Sequence, residues 1–106
     1  MESLCDMGLT VHAVSRNGKV LGQLAERTGC IVHSIDIADT RALEVLVPAL
    51  NVDILVNNAG VSAAASIVDG DPAAIDAQID VNLRAVMHLV RLTAPGMLAR
   101  NRGHIV

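Results

Sequence analysis

Four residues at the end of an apolar run, Asn57-Asn58-Ala59-Gly60, carry the strongest chemical signal in this sequence of 106 residues. Ile54-Leu55-Val56, just ahead of them, reads as a strand buried on both faces, because a half-exposed strand would alternate apolar with polar residues. The carboxamides then supply fixed donors and acceptors, and the small Ala59 and Gly60 let a ligand approach the backbone. The carboxyl end of a parallel strand is where open α/β sheets bind their ligands. Taken alone, the same residues also suit a polar turn after a buried strand. Asn82 is the second signal. It lies three positions after Ile79 and four before Val86, inside an apolar helical stripe, where an unpartnered amide costs about 1–3 kcal/mol.

The elements that must position these residues follow from periodicity. Leu9 to Val14 is a strand candidate ending at Ser15-Arg16-Asn17-Gly18. Lys19 to Thr28 turns helical, with Val20, Leu21, Leu24 and Ala25 on one face, Asn17 as N-cap and Gly29 as terminator. Cys30 to Ile35 is a second strand closing on Asp36-Ile37. Thr40 to about Val47 is a helix capped by Asp39 and ended or bent by Pro48. The third strand runs from Val52 to Val56, and a small-residue loop from Val61 to Asp71 follows. Asp71-Pro72 starts the longest helix, which reaches towards Arg100. Ile75, Ile79, Val86 and Val90 form its apolar stripe, and Asp76, Asp80, Arg84, His88 and Arg91 its polar one. Pro95-Gly96 should kink it, Gly103 end it, and His104-Ile105-Val106 begin another strand. Strands alternating with helices imply a parallel, helix-covered sheet, an α/β class.

Composition excludes several functions. Net charge is −3, with no Lys/Arg cluster, which argues against nucleic acid or anionic membrane as partner. The chain is 52% hydrophobic with a mean hydropathy of +0.48 and no aromatic Phe, Trp or Tyr, so its core is aliphatic. No apolar run approaches the roughly 18–20 residues of a membrane span, and the start lacks a signal-peptide pattern, so a cytoplasmic protein is expected. Cys5 and Cys30 lack metal or redox spacing and read as reduced, apolar residues. His12 and His33 fall in strands, His88 on the polar stripe and His104 at the last strand; none has metal-ligand spacing, so no metal is expected. No serine occupies a Gly-x-Ser-x-Gly elbow.

With the strand-end Asn57-Asn58-Ala59-Gly60, preceded by Asp53-Ile54-Leu55-Val56 and followed by Asp80-Val81-Asn82-Leu83, the chain resembles the short-chain dehydrogenase/reductase family over essentially its whole length. The resemblance implies a single partial Rossmann-like domain over residues 1–106, a doubly wound parallel sheet with the family's second to fourth strands and the start of its fifth. It implies hydride transfer between a nicotinamide cofactor and an alcohol or carbonyl substrate. Ser15, Arg16 and Asn17 would meet the adenosine end. Ser15 stands where an acid would favour NAD, and Arg16 beside it favours the 2′-phosphate of NADP, since a guanidinium grips phosphate bidentately. Asp36 and Ile37 would meet the adenine edge, and Asn58, Ala59 and Gly60 the nicotinamide half. Asn82 would be the catalytic residue, disturbing its helix locally and holding a water in a proton relay.

The departures are large. No glycine-rich phosphate turn precedes the first strand and no tyrosine exists anywhere. The expectation is an internal fragment of an oxidoreductase, beginning inside the family's first helix and lacking its first strand and C-terminal half, inactive by itself. In the fold order 3-2-1-4-5-6 the missing strand separates the two halves present and would leave apolar inner edges. The parent is expected to be a homo-oligomer through helix 72–100. The alternative is a short, non-catalytic binding or assembly module that uses that helix.

Overall fold

The computed structural model describes residues 2–58, 68 and 70–106, and side chains from Leu4 onward within that set. Ala59, Gly60 and most of the expected loop from Val61 lie outside the described residues. The chain divides into two compact units, Met1–Ile37 and Ala38–Val106.

The first unit contains helix α1 (Glu2–Asp6), strand β1 (His12–Ser15), helix α2 (Gly18–Thr28) and strand β2 (Ile31–Ser34). The strands are shorter than the apolar runs suggested, and pair in parallel with His12 opposite Ile31 and Ser15 opposite Ser34. Alternation along the strands decides what is buried. Val11, Ala13, Cys30 and Leu21 of α2 make the core, with Leu4, Cys5, Leu24 and Val32 packed against it. Both ends of α2 close as their residue types dictate. The Asn17 side chain accepts from the Val20 N–H at 3.1 Å. Gly29 sits at φ +73°, its N–H donating to the Ala25 carbonyl at 2.8 Å, a left-handed cap that glycine adopts without strain.

His12 and His33 alternate to the other side of the β1–β2 ladder. Their rings stack with centroids 5.3 Å apart, and His12 Nδ1 lies 3.0 Å from His33 Nε2. Burial, reinforced by the neighbouring His12, holds the His33 imidazole below its ordinary pKa, so it favours the neutral form.

The second unit contains α3 (Thr40–Leu50), β3 (Ile54–Leu55), α4 (Pro72–Ile79), a π-turn over Asp80–Arg84, α5 (Ala85–Arg100) and β4 (His104–Ile105). Strand β3 pairs in parallel with β4, Ile54 opposite His104 and Leu55 opposite Ile105. Asp39 caps α3 through the Ala42 N–H at 3.1 Å, and Asp71 caps α4 through the Ala73 N–H at 3.0 Å, with Pro72 in the first turn. Helices α3 and α5 pack together; their buried residues are Leu43 and Val47 on α3, and Ala85, Leu89, Thr93 and Met97 on α5. Thr93 is polar but satisfied, its hydroxyl donating to the Leu89 carbonyl at 2.8 Å.

Three expectations change. Pro48 lies inside α3, which continues to Leu50 and closes on Asn51 at φ +53°; proline removes one backbone donor, and the helix accepts that loss so near its end. Helix α5 runs through Pro95-Gly96 to Arg100, ending not at Gly103 but on Asn101 at φ +54°. Its last turn closes with the Arg102 N–H on the Met97 carbonyl at 3.1 Å. The run from Val52 to Val56 is not buried on both faces either: Leu55 is buried, while Ile54 and Val56 are 44% and 45% exposed. Among the described residues β3 has one strand neighbour, and alternation reasserts itself.

Candidate functional site

Unit 1 presents Ser15, Arg16 and Asn17 where β1 turns into α2. The turn is tied to the end of β2 twice: the Ile35 N–H donates to the Ser15 carbonyl at 3.0 Å, and the Ser34 hydroxyl donates to the Arg16 carbonyl at 3.4 Å. Within the turn, the Asn17 N–H donates to Ser15 Oγ at 3.3 Å. An added Cβ at Gly18 would stand 3.3 Å from Ser34 Oγ, so that hydroxyl would have to give by a few tenths of an ångström. The Asn17 carboxamide oxygen is engaged as the helix cap, so its duty in the turn is structural. The Arg16 guanidinium lies 3.9 Å from the Asp36 carboxylate, with the two side chains 72% and 44% exposed. Asp36 and Ile37 are partly buried beyond β2. Four of the expected site residues, Ser15, Arg16, Asp36 and Asn17, thus stand on one pair of strand ends, where parallel sheets gather ligands.

Unit 2 presents Asn57 and Asn58 past β3. The Asn57 N–H extends the ladder, donating to the Val106 carbonyl at 2.9 Å. Its side-chain oxygen Oδ1 is buried and has no hydrogen-bond partner among the described residues. An orphaned buried acceptor costs about 1–3 kcal/mol, so the Asn57 carboxamide calls for a donor. The sequence pattern points to Asn58, which is exposed; the signal for Asn57 is its place directly after the apolar run. Ala59 and Gly60 lie outside the described residues.

Asn82 occupies the middle of the π-turn, where the Ala85 N–H reaches back five residues to the Asp80 carbonyl. Such turns frequently occur at functional sites. The expectation that Asn82 faces inward is corrected: it is exposed. Each residue added to a turn rotates all later positions of the helix by about 100°, so the buried row passes through Ala85, Leu89, Thr93 and Met97 instead of Val86 and Val90. Ile79, Leu83 and Met87 become a surface row, 47%, 55% and 63% exposed. Of the polar stripe, Asp80 and Arg84 pair at 3.0 Å. Arg91 reaches Glu44 of α3 at 2.8 Å and the His88 ring at 3.1 Å.

Among the described residues no three His, Cys, Asp or Glu side chains gather to hold a metal. No helix among them is long and apolar enough to cross a membrane. Each unit offers a group of a chemistry that suits a nucleotide: in the first an exposed guanidinium for a phosphate, and in the second a buried amide oxygen without a donor among the described residues.

The model of the short chain dehydrogenases matches residues 1–106. An uncharacterized short-chain type dehydrogenase/reductase of Sinorhizobium fredii is 38% identical over 96% of this chain and 42% of its own length. The NADP-dependent 3-hydroxy acid dehydrogenase of Escherichia coli strain K12 is 31% identical over 93% of this chain and 43% of its own. Among solved structures, a metagenomic short-chain oxidoreductase in complex with NADP superposes with a TM-score of 0.91 at 30% identity, covering 98% of this chain and 52% of that one. The fold is accordingly α/β and Rossmann-like, and the chain spans about half the length of the curated relatives it matches.

Proposed function

Because the chain belongs to the short-chain dehydrogenase family, we propose that it supplies the cofactor seat of an NADP-preferring oxidoreductase that interconverts an alcohol and a carbonyl. The observation that carries this reading is the π-turn: the helix opens at Asn82, the asparagine that follows the strand-end Asn57-Asn58-Ala59-Gly60 in the family pattern. The bound cofactor would give hydride to the carbonyl in its reduced form and take it from the alcohol in its oxidised form. This chain's own residues hold and orient it. The Arg16 guanidinium, with the Ser15 hydroxyl as a further donor, takes the 2′-phosphate of the adenosine ribose. Asn17 keeps that turn in shape as the α2 cap. Asp36 accepts from the adenine amine and Ile37 lies along the ring. Asn57 shapes the strand end from which Asn58, Ala59 and Gly60 meet the nicotinamide half. Asn82, exposed at the opened turn, holds a water that relays a proton.

By itself the chain turns over no carbonyl, since no tyrosine is present among its 106 residues to act as proton donor. Titration with NADP+ and NAD+ tests the reading. NADP+ should bind with a Kd on the order of 1 mM, about −4 kcal/mol, and tighter than NAD+. Equal affinity for the two would remove the role given to Arg16, and no binding of either would remove the seat altogether.

The surface row Ile79, Leu83 and Met87 supports assembly of a homo-oligomer through helix 72–100, in a cytoplasmic protein with its cysteines reduced. Leu83→Glu puts a charge in the middle of that row. Sedimentation should then show the oligomer shifting to monomer; an unchanged mass would move the interface elsewhere.

A further inference from the structure

Arg16 and Asp36 come from separate connections, one after β1 and one after β2, and their backbones are held in fixed relation. Ser15 and Ser34 are opposite one another in the parallel register. The Ile35 N–H to Ser15 carbonyl bond of 3.0 Å closes the ladder. The Ser34 hydroxyl then pins the Arg16 carbonyl itself. The backbones that carry the guanidinium and the carboxylate, 3.9 Å apart, are therefore held in register by two aligned strand ends. At this tip the cation that would meet a phosphate already has an anion beside it.

We propose that Asp36 sets nucleotide choice by holding Arg16: the carboxylate partly neutralises the guanidinium that binds the 2′-phosphate, which narrows the preference for the phosphorylated ribose. The inference rests on the reading that this tip receives an adenosine 2′-phosphate. It gives Asp36 a role separate from the adenine contact, because an adenine contact strengthens both nucleotides alike, whereas a carboxylate beside Arg16 discriminates between them. The two effects read differently in a ratio of affinities. Exposed ion pairs are individually weak, so the effect is a tuning and not a switch.

The test uses the full chain and two small probes, adenosine 2′,5′-bisphosphate and 5′-AMP, with binding followed by the amide shifts of residues 15–18 and 34–37. In Asp36→Asn the ratio of affinities, bisphosphate over 5′-AMP, should rise about threefold, and the gain should shrink as salt is raised. Asp36→Ser, which shortens the side chain as well as removing its charge, should move the ratio the same way; amide spectra of both variants report whether the fold is kept. In Arg16→Gln the ratio should fall, and adding Asp36→Asn to it should change the ratio no further. An unchanged ratio in both Asp36 variants, or a gain that persists in the Arg16→Gln background, overturns the proposal while leaving the nucleotide seat standing. If the wild-type chain binds neither probe, the seat itself fails and the proposal with it.

Discussion

Replacing Leu43 by alanine is expected to cost about 3 kcal/mol of stability, the largest effect of any single substitution in the second unit. Leu43 is 1% exposed and is the large side chain most completely removed from water in the described structure. It projects from α3 where that helix packs on α5. Removing three carbons there forfeits their transfer free energy and leaves a cavity that rigid helix backbones on both sides cannot fill. Val45, two residues on, is 79% exposed, and Val45→Ala should change stability by about 0.5 kcal/mol or less. Single domains have only about 5–15 kcal/mol in total, so the Leu43 variant should melt at a visibly lower urea concentration by helix circular dichroism. A midpoint no lower than that of the Val45 variant would mean that the α3–α5 contact is not what holds this unit together.

The second large effect is expected at Gly103. A Cβ built there would overlap Met97, lying 2.7 Å from its Cβ and 2.5 Å from its sulfur. The Cβ of Met97 cannot rotate away, since it is fixed to a buried helix backbone, so either α5 or the chain entering β4 must move. Overpacking of this kind costs about 1–3 kcal/mol. The consequence reaches the candidate site, because β4 is what β3 pairs with. The His104 N–H donates to the Asp53 carbonyl at 3.0 Å, Val106 N–H to Leu55 at 2.9 Å, and Asn57 N–H to Val106 at 2.9 Å. Gly103→Ala should therefore lower the exchange protection of the Asn57 amide as well as overall stability. A double-mutant cycle with Met97→Ala isolates the overlap: with the methionine truncated, the alanine at 103 should cost markedly less. Strict additivity of the two would place the penalty in the Gly103 backbone and not in the contact.

What the sequence made readable was the chemistry that acts within one turn of chain. Asn17, Asp39 and Asp71 each cap the helix they precede, because an acceptor that reaches an N–H two or three residues away needs no tertiary context. Gly29 closes α2 for the same kind of reason. The strand-end asparagines and Asn82 were recognisable as a pattern, and the family and fold came from that pattern. Facing and pairing were not readable. The π-turn takes up one extra residue and turns the buried row away from Val86 and Val90, which no regular period of 3.6 anticipates. The proximity of Arg16 to Asp36 needs the β1–β2 register, and the Arg91–Glu44 pair joins residues 47 apart. Pro48 read as a bend or an end of the helix because propensity sees its missing donor and not the helix that packs against α3. The orphaned oxygen of Asn57 becomes visible only once burial is known.

The proposed function requires that NADP+ contact the strand-end residues of each unit, Ser15 to Asn17 with Asp36 and Ile37 in the first and Asn57 to Gly60 in the second. Its most direct test is a residue-resolved amide-shift titration of the chain with NADP+. The account predicts saturable changes at Ser15, Arg16, Asp36 and Ile37, at Asn57 to Gly60 and around Asn82, with the first group moving less when NAD+ replaces NADP+. Saturable shifts confined to other surfaces, or none at Ser15, Arg16 and Asn57 to Gly60, would contradict it.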